Sequence, residues 1–181
     1  IETKIRIDKE TSERLWQVIP SRRGMPGPFE HAVFRALEKL AIDGSIRKGA
    51  PFERDFAFQV KSLIGVLGFS YQNNNVRRVS EALDRLQELS IEELGVFRRN
   101  GKAGAKRRKV HLIEAVRAVG QLASPCTIKG SVAVTFGQDY VESVNAGYVR
   151  PLDWELWRSL KRPIARRLVE ILEMDFYGLR H

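Results

Sequence analysis

Apolar residues recur at spacings of three and four along much of the chain, and this pattern predicts helices that bury one face. The strongest example covers residues 76–89, where the apolar stripe consists of Val76, Val79, Leu83, Leu86 and Leu89. The same spacing predicts a helix over residues 29–41 that ends near Asp43 and Gly44, and a short helix over residues 60–67. The polar sequence FSYQNNN, which separates the short helix from the strong one, is typical of a turn.

Strands are expected where apolar and polar residues alternate, because successive side chains of a strand point to opposite faces of the sheet. Residues 94–99 and 107–113 are expected to form a hairpin around a basic, glycine-containing loop. Alternation also predicts strands at residues 3–7 and 131–136, whereas residues 114–130 carry no firm pattern. The expected fold class is therefore α+β, rich in helices.

The last part of the chain is expected to be helical. A short helix is predicted over residues 138–145 and another over residues 153–160, and a final helix begins at Pro163, a residue suited to the first helical position. This final helix is expected to carry four apolar side chains inward, namely Ile164, Leu168, Ile171 and Leu172. We expect residues 1–148 to form one domain, and residues 149–181 to lead through the closing helices to a second domain beyond this chain.

Positive charge is concentrated in one segment of the chain. There are 31 Lys plus Arg residues against 22 Asp plus Glu, which gives a formal net charge of +9. Seven of the twelve residues from Arg98 to Lys109 are basic and none is acidic. Such a segment attracts an anionic polymer or surface, although a solvated loop that keeps the protein soluble has the same composition.

The order of the predicted elements is that of a winged helix-turn-helix: two helices, a turn, a third helix and a basic hairpin that serves as the wing. In such folds the third helix enters the DNA major groove with its first turns nearest the bases. Asparagine can pair with adenine and arginine with guanine, so the predicted base-reading residues are Asn73, Asn74, Asn75, Arg77 and Arg78. Basic wing residues hold the DNA backbone without reading its sequence. These wing residues are Arg98, Arg99, Lys102, Lys106, Arg107, Arg108 and Lys109.

Each of these side chains also has a purely structural interpretation. The asparagines could serve only to cap the third helix. Arg77 and Arg85 each have a carboxylate within four residues, which is typical of surface ion pairs. Arg78 has an alanine four residues on, so we expect it to be freer for a ligand. A second basic cluster, equally well explained by a solvated helix face, consists of Lys161, Arg162, Arg166 and Arg167.

Enzymatic and metal-dependent functions find no support in the sequence. The histidines His31, His111 and His181 are scattered without metal-ligand spacing, and His111 is expected to be a packed strand residue. The single cysteine, Cys126, can form no internal disulfide, which fits a reduced, cytoplasmic setting. No apolar run approaches the roughly 20 residues of a membrane span. We therefore expect a cytoplasmic, non-enzymatic protein without catalytic residues, cofactor, metal or membrane association.

Three blocks of the sequence, from Gly24 to Leu172, together resemble the N-terminal region of plasmid initiators of the replication initiator protein A family. The first, GMPGPFEHAVFRALEKLA, is similar to the glycine–proline entry and first helix of that family. The second, FQVKSLIGVLGFSYQNNNVRRVSEALDRLQELSI, resembles its short helix, turn and third helix. The third, SVNAGYVRPLDWELWRSLKRPIARRLVEIL, is similar to its closing block.

The resemblance implies sequence-specific binding to repeats of a plasmid origin, followed by duplex opening and recruitment of host replication proteins. It also implies a second winged helix after the closing helices, and a first module that serves dimerisation as much as DNA contact. The expected partners are therefore double-stranded origin DNA, a second copy of the chain and host replication proteins. Two alternatives stay open at this point: a winged-helix transcription regulator, and a dimerisation or protein-interaction module of an initiator.

Overall fold

The described residues form six helices and seven antiparallel strands, as expected for an α+β fold. The computed structural model describes residues 3–5, 14–99, 102–119, 130–147 and 152–176. The helices in these residues are Pro28–Lys48 (α1), Val60–Val66 (α2), Asn73–Glu88 (α3), Gln138–Asn145 (α4), Trp154–Ser159 (α5) and Pro163–Phe176 (α6). The strands are Thr3–Ile5 (β1), Arg14–Ile19 (β2), Asp55–Gln59 (β3), Ser90–Arg99 (β4), Lys102–Val110 (β5), Ile113–Val119 (β6) and Ser131–Phe136 (β7).

Helix α3 forms because its apolar stripe matches the helical period. Val76, Val79 and Leu83 are at most 1% exposed, and they pack in one apolar core with residues of α1, α2 and β6. The helix begins at Asn73, three residues earlier than predicted, because the asparagines join its first turn; the Val76 N–H donates to the Gln72 carbonyl at 3.0 Å. The position of this helix is therefore fixed by burial on one side only, which leaves its polar side open.

Helix α1 continues to Lys48, so the predicted end near Asp43 and Gly44 is wrong. Gly44 lies inside the helix beside strand β3, where an added Cβ would be 3.6 Å from the Phe56 ring. The helix ends instead at Gly49, whose φ of 61° is the left-handed conformation that glycine adopts readily. Packing against β3 thus outweighs the weak helix propensity of a single glycine.

The strands form two separate sheets, with the orders β1-β2-β4-β5 and β3-β7-β6. The predicted hairpin strand over residues 107–113 is wrong at its C-terminal end, because β5 stops at Val110 and Ile113 begins β6 in the other sheet. The link between them is held against Gly137, whose N–H donates to the Leu112 carbonyl at 3.0 Å. A Cβ at position 137 would lie only 1.9 Å from the His111 carbonyl oxygen, so this close approach requires glycine.

The apolar residues of α6 face the solvent, so the prediction that they point inward is wrong. Ile164 is 83% exposed, Leu168 52%, Ile171 39% and Leu172 40%. The face of α6 that docks carries Glu170 instead, which is only 4% exposed. A buried carboxylate must be paired to be tolerated, and three of the four groups that pair with Glu170 come from α1 and α5, which apolar spacing along α6 cannot indicate.

Three partners from other helices surround the Glu170 carboxylate, and Arg167 of α6 itself is a fourth. Its Oε1 accepts a hydrogen bond from the Trp157 indole N–H at 2.8 Å and lies 3.4 Å from Arg35 Nε, and its Oε2 lies 3.4 Å from His31 Nε2. Burial raises the pKa of Glu170, but His31, Arg35 and Arg167 outweigh burial and lower this pKa to about 2. Helix α6 is therefore docked by a charged group rather than by its apolar stripe.

Candidate nucleic-acid interface

The first two turns of α3 present polar side chains to the solvent. Asn73, Asn74, Arg77 and Arg78 are exposed, whereas Asn75 is half-buried. The Asn75 side-chain amide donates to the Ser70 carbonyl at 2.9 Å, which braces the turn between α2 and α3. The structure thus brings the five predicted base-reading residues together, but it gives Asn75 a structural role.

Arg77 takes part in contacts within its own helix. Its guanidinium donates to the Asn74 side-chain oxygen at 3.3 Å, and its Nε lies 3.9 Å from a Glu81 carboxylate oxygen. The Arg77 side chain is 63% exposed, so water screens this pair. The surface-pair interpretation of Arg77 therefore agrees with the structure.

Arg78 lies over two aromatic rings. Its guanidinium carbon is 4.3 Å from the centre of the Phe29 ring and 5.8 Å from that of Phe69, and the two rings are 6.2 Å apart. Within the described residues, no carboxylate pairs with Arg78. A guanidinium that stacks on an aromatic face keeps its in-plane N–H donors available for an acceptor. Arg78 is thus held in place while its hydrogen-bonding edge stays open.

The C-terminal half of α3 is held by groups from earlier in the chain. Asp84 pairs with Arg23 at 2.7 Å, and the Glu88 carboxylate accepts a hydrogen bond from the Arg22 backbone N–H at 3.1 Å. Arg85 pairs with Glu30 of α1 at 2.6 Å, not with a carboxylate of its own helix as the surface-pair interpretation held. These contacts leave the start of α3 as the part of the helix that is free to meet a ligand.

Glu30 connects the N-terminus of α1 to α3. One of its carboxylate oxygens accepts the Gly27 backbone N–H at 2.7 Å, and the other accepts from Arg85. Burial raises the pKa of Glu30, but its hydrogen bonds to backbone N–H groups and Arg85 outweigh burial and lower this pKa. A single carboxylate therefore caps one helix and orients the other.

The basic hairpin β4–β5 lies outside the sheet that contains β3. Its register runs from Ile91 opposite Val110 to Arg99 opposite Lys102, and β4 pairs with β2 on its other side. Five of the seven predicted wing residues have side chains outside the described residues, namely Arg98, Arg99, Lys102, Lys106 and Arg107. The backbone nevertheless places all seven on one two-stranded element that follows directly from α3.

The two wing residues with described side chains differ in their surroundings. Lys109 is exposed and lies opposite Glu92 in the strand register. Arg108 is also exposed but pairs with Asp139 in the first turn of α4. This ion pair joins residues that are far apart in sequence, so spacing along the chain cannot indicate it. His111, next along the chain, is half-buried with its Nδ1 3.1 Å from the Leu89 carbonyl oxygen, which agrees with a packed residue.

The second basic cluster is divided between packing and solvent. The Arg166 guanidinium lies 4.5 Å from the centre of the Trp157 ring, and Arg167 pairs with Glu170 at 3.0 Å. Lys161 and Arg162 are exposed. Across the described part of the chain, no helix is long and apolar enough to cross a membrane, and no three His, Cys, Asp or Glu residues are grouped to hold a metal ion.

Sequence reasoning missed the residues that position α3. The spacing that predicts a helix over residues 29–41 does not indicate that Phe29 contacts α3, and nothing in the sequence indicates a role for Glu30 or Arg23. Phe69 and the nearby Tyr71 lie in a polar turn and are 42% and 46% exposed. Two aromatic residues in such a turn are the sequence signal that could have indicated a contact surface beside α3. Contacts between α1 and α3 join residues about 50 positions apart, which spacing within either helix cannot reveal.

The fold of the chain is similar to that of solved structures. The chain is similar to domains 2 and 3 of RctB, with a TM-score of 0.71, 11% sequence identity and coverage of 96% of this chain and 67% of that one. A second crystal structure of RctB domains 2–3 gives a TM-score of 0.60 at 9% identity, covering 98% of this chain and 62% of that one. The protein therefore has the α+β fold of these domains and spans about two thirds of their length.

The family follows from the sequence. The model of the family described as replication initiator protein A matches residues 5–175. The chain belongs to the replication initiator protein A family, which supports a role in the initiation of replication. No curated protein matches the sequence.

Proposed function

We propose that this chain is an origin-binding domain of a plasmid replication initiator, a non-enzymatic module that recognises double-stranded DNA through the start of α3. The observation that carries the proposal is the placement of Arg78. Its guanidinium carbon lies 4.3 Å from the centre of the Phe29 ring on the exposed side of α3, and no carboxylate among the described residues pairs with it. The two N–H donors on one edge of a guanidinium match the O6 and N7 acceptors of guanine in the major groove.

Within this proposal, the helices and one sheet form a winged helix. Strand β3 precedes α2 and pairs with β7, which pairs in turn with β6. The β6–β7 hairpin therefore extends the sheet that supports α2 and α3, and we assign the wing position to it. The basic hairpin β4–β5 becomes an additional arm between α3 and β6, and its lysines and arginines supply backbone affinity through counterion release.

The test is a measurement of DNA binding by fluorescence anisotropy, with duplexes tiled across the origin of the protein's replicon and with random duplexes. We expect origin-specific binding, and a linear fall of log affinity with log salt at about −0.9 per phosphate contacted. Tandem repeats in the bound tiles favour an initiator, whereas a single palindrome favours a transcription regulator. Absence of DNA binding at low salt refutes the proposal.

The Arg78→Ala variant tests the contact itself. Loss of one bidentate guanine contact costs about 1–3 kcal/mol, so we expect origin affinity to fall about 5- to 150-fold while random-DNA affinity falls far less. Arg47→Ala is the matched control, because this exposed arginine lies in the last turn of α1, roughly 27 Å along the helix from Phe29. Equal losses on origin and random DNA would show that Arg78 only contacts phosphate.

Phe29→Leu separates positioning from contact, since leucine keeps apolar volume but removes the ring face. We expect this variant to lose part of the discrimination, and we expect no further loss when it is combined with Arg78→Ala. Additive losses in the double variant would mean that Phe29 does not act through Arg78.

A further inference from the structure

The turn between α2 and α3 exposes two aromatic side chains, Phe69 and Tyr71, among polar neighbours. An aromatic side chain left in water forgoes the stabilisation that burial would give it. Exposed apolar side chains beside a binding surface are typical of contact sites. Phe69 lies next to Arg78, at the end of α3 that the proposed function places against DNA. Its exposure therefore raises the question of what covers it when DNA is bound.

The backbone holds Phe69 in this exposed position. Helix α2 ends in a left-handed glycine, Gly68, with a φ of 82°. The Gly68 N–H donates to the Gly65 carbonyl at 3.0 Å, and the Phe69 N–H donates to the Ile64 carbonyl at 3.1 Å. This pair of bonds closes a helix C-terminus and fixes the residue that follows the glycine. The Asn75 side chain braces the rest of the turn, so the position of Phe69 is set by the fold.

The distance between Phe69 and Arg78 matches the spacing of bases. The centre of the Phe69 ring is 5.8 Å from the Arg78 guanidinium carbon, and successive bases of one DNA strand are about 3.4 Å apart. When the guanidinium lies in the plane of a guanine, the ring therefore lies within about two base steps of that guanine. Thymine presents an apolar group in the major groove, its C5-methyl, and phenylalanine is among the side chains that contact this group.

We propose that Phe69 reads the C5-methyl group of a thymine that lies within two base pairs of the guanine contacted by Arg78. This inference rests on the proposed function and adds a second element of readout to the same end of α3. Arg78 recognises hydrogen-bond acceptors, whereas Phe69 recognises an apolar group that cytosine, the other pyrimidine, lacks. The two side chains touch in the protein, so together they specify a guanine and a nearby thymine at a fixed separation.

Two base analogues test the proposal by fluorescence anisotropy, with the complete chain and the origin duplex that it binds most tightly. In 7-deazaguanine a C–H group replaces N7, and uracil is thymine without the methyl group, so both analogues keep Watson–Crick pairing. We expect one guanine whose replacement weakens binding by the wild type but not by Arg78→Ala. We expect a thymine within two base pairs of it whose replacement by uracil weakens binding about 3- to 5-fold, as for the loss of one buried methyl group.

The Phe69→Ala variant separates base contact from the positioning of Arg78. We expect this variant to bind the thymine and uracil duplexes equally and to keep the penalty for 7-deazaguanine. Ile46→Ala is the matched control, since Ile46 is an exposed apolar residue in the last turn of α1, and it should keep both penalties. Far-UV circular dichroism verifies that each variant is folded.

The outcomes distinguish this inference from the proposed function. Origin-specific binding in which no thymine near the guanine responds to uracil overturns the inference alone. Loss of both penalties in Phe69→Ala would mean that the ring only positions Arg78, and a uracil penalty lost in Tyr71→Ala but kept in Phe69→Ala would assign the contact to the wrong ring. A wild-type chain without origin binding, or without a guanine whose penalty depends on Arg78, refutes the guanine contact and this inference with it.

Discussion

Replacement of Glu30 by Gln tests whether one carboxylate both caps α1 and orients α3. A glutamine has one acceptor oxygen, so it can satisfy either the Gly27 N–H or Arg85, and its amide group faces the other donor. One of the two charge-assisted hydrogen bonds, each worth about 1.5–3 kcal/mol, is lost, and the remaining one is weakened because its acceptor is now a neutral amide oxygen. Because the Arg85 side chain is 33% exposed, water recovers part of the loss, and we expect Glu30→Gln to destabilise the protein by about 2 kcal/mol.

The assay is urea unfolding at pH 7, followed by far-UV circular dichroism. We expect the midpoint urea concentration to fall with no change in the denaturant slope m. In a separate thermal unfolding experiment, a change of about 2 kcal/mol corresponds to a fall in Tm of about 4–8 °C for a chain of this size. Glu81→Gln is the matched control, since the Glu81 carboxylate is 46% exposed and lies 3.9 Å from Arg77. If Glu30→Gln and Glu81→Gln unfold within about 0.5 kcal/mol of each other, the Glu30 contacts contribute no more than a surface pair and the reasoning fails.

Two further predictions concern α6 and the glycines. The pKa of Glu170 is lowered from 4.5 to about 2, so its stabilisation of about 3 kcal/mol is fully present above pH 4.5 and is lost as the pH falls toward 2. Unfolding free energies measured between pH 6 and 2.5 should fall over that window, and a wild-type slope in Glu170→Gln would exclude Glu170 as the cause. Gly137→Ala should destabilise the protein by about 1–3 kcal/mol because its Cβ meets the His111 carbonyl. Gly65→Ala, at a helical site with no atom within 4 Å of the new Cβ, should stabilise it by about 0.5–1 kcal/mol, and equal effects of the two substitutions would contradict the packing argument.

Local patterns were sufficient to predict the elements whose burial follows from their own sequence. Strand β7 and helix α4 have the predicted bounds, Ser131–Phe136 and Gln138–Asn145. Helix α3 was found from its stripe of apolar residues, which is buried as the spacing requires. In each case one face of the element is apolar and packs into the core, so the face predicted from the spacing of apolar residues is the face that is buried.

Features that depend on distant partners could not be predicted in this way. Strand β2 was not predicted because it is defined by pairing with β4, where Gln17 lies opposite Glu92 across 75 residues of sequence. The neighbours of Arg78 along α3 do not indicate how its side chain is held, because the ring beneath it belongs to α1. Apolar spacing along α6 predicts that its leucines and isoleucines face inward. The structure buries Glu170 instead, because leaving this carboxylate buried without its ion pairs would cost more free energy than exposing the apolar side chains.

The first two turns of α1 contact both α3 and α6. Phe29 and Glu30 hold Arg78 and Arg85, and His31 and Arg35 lie against Glu170. The positions of α3 and α6 are therefore set by two turns of a single helix, not by a linker. A ligand that displaces α6 moves the start of α3 with it, because both helices are anchored on the same part of α1.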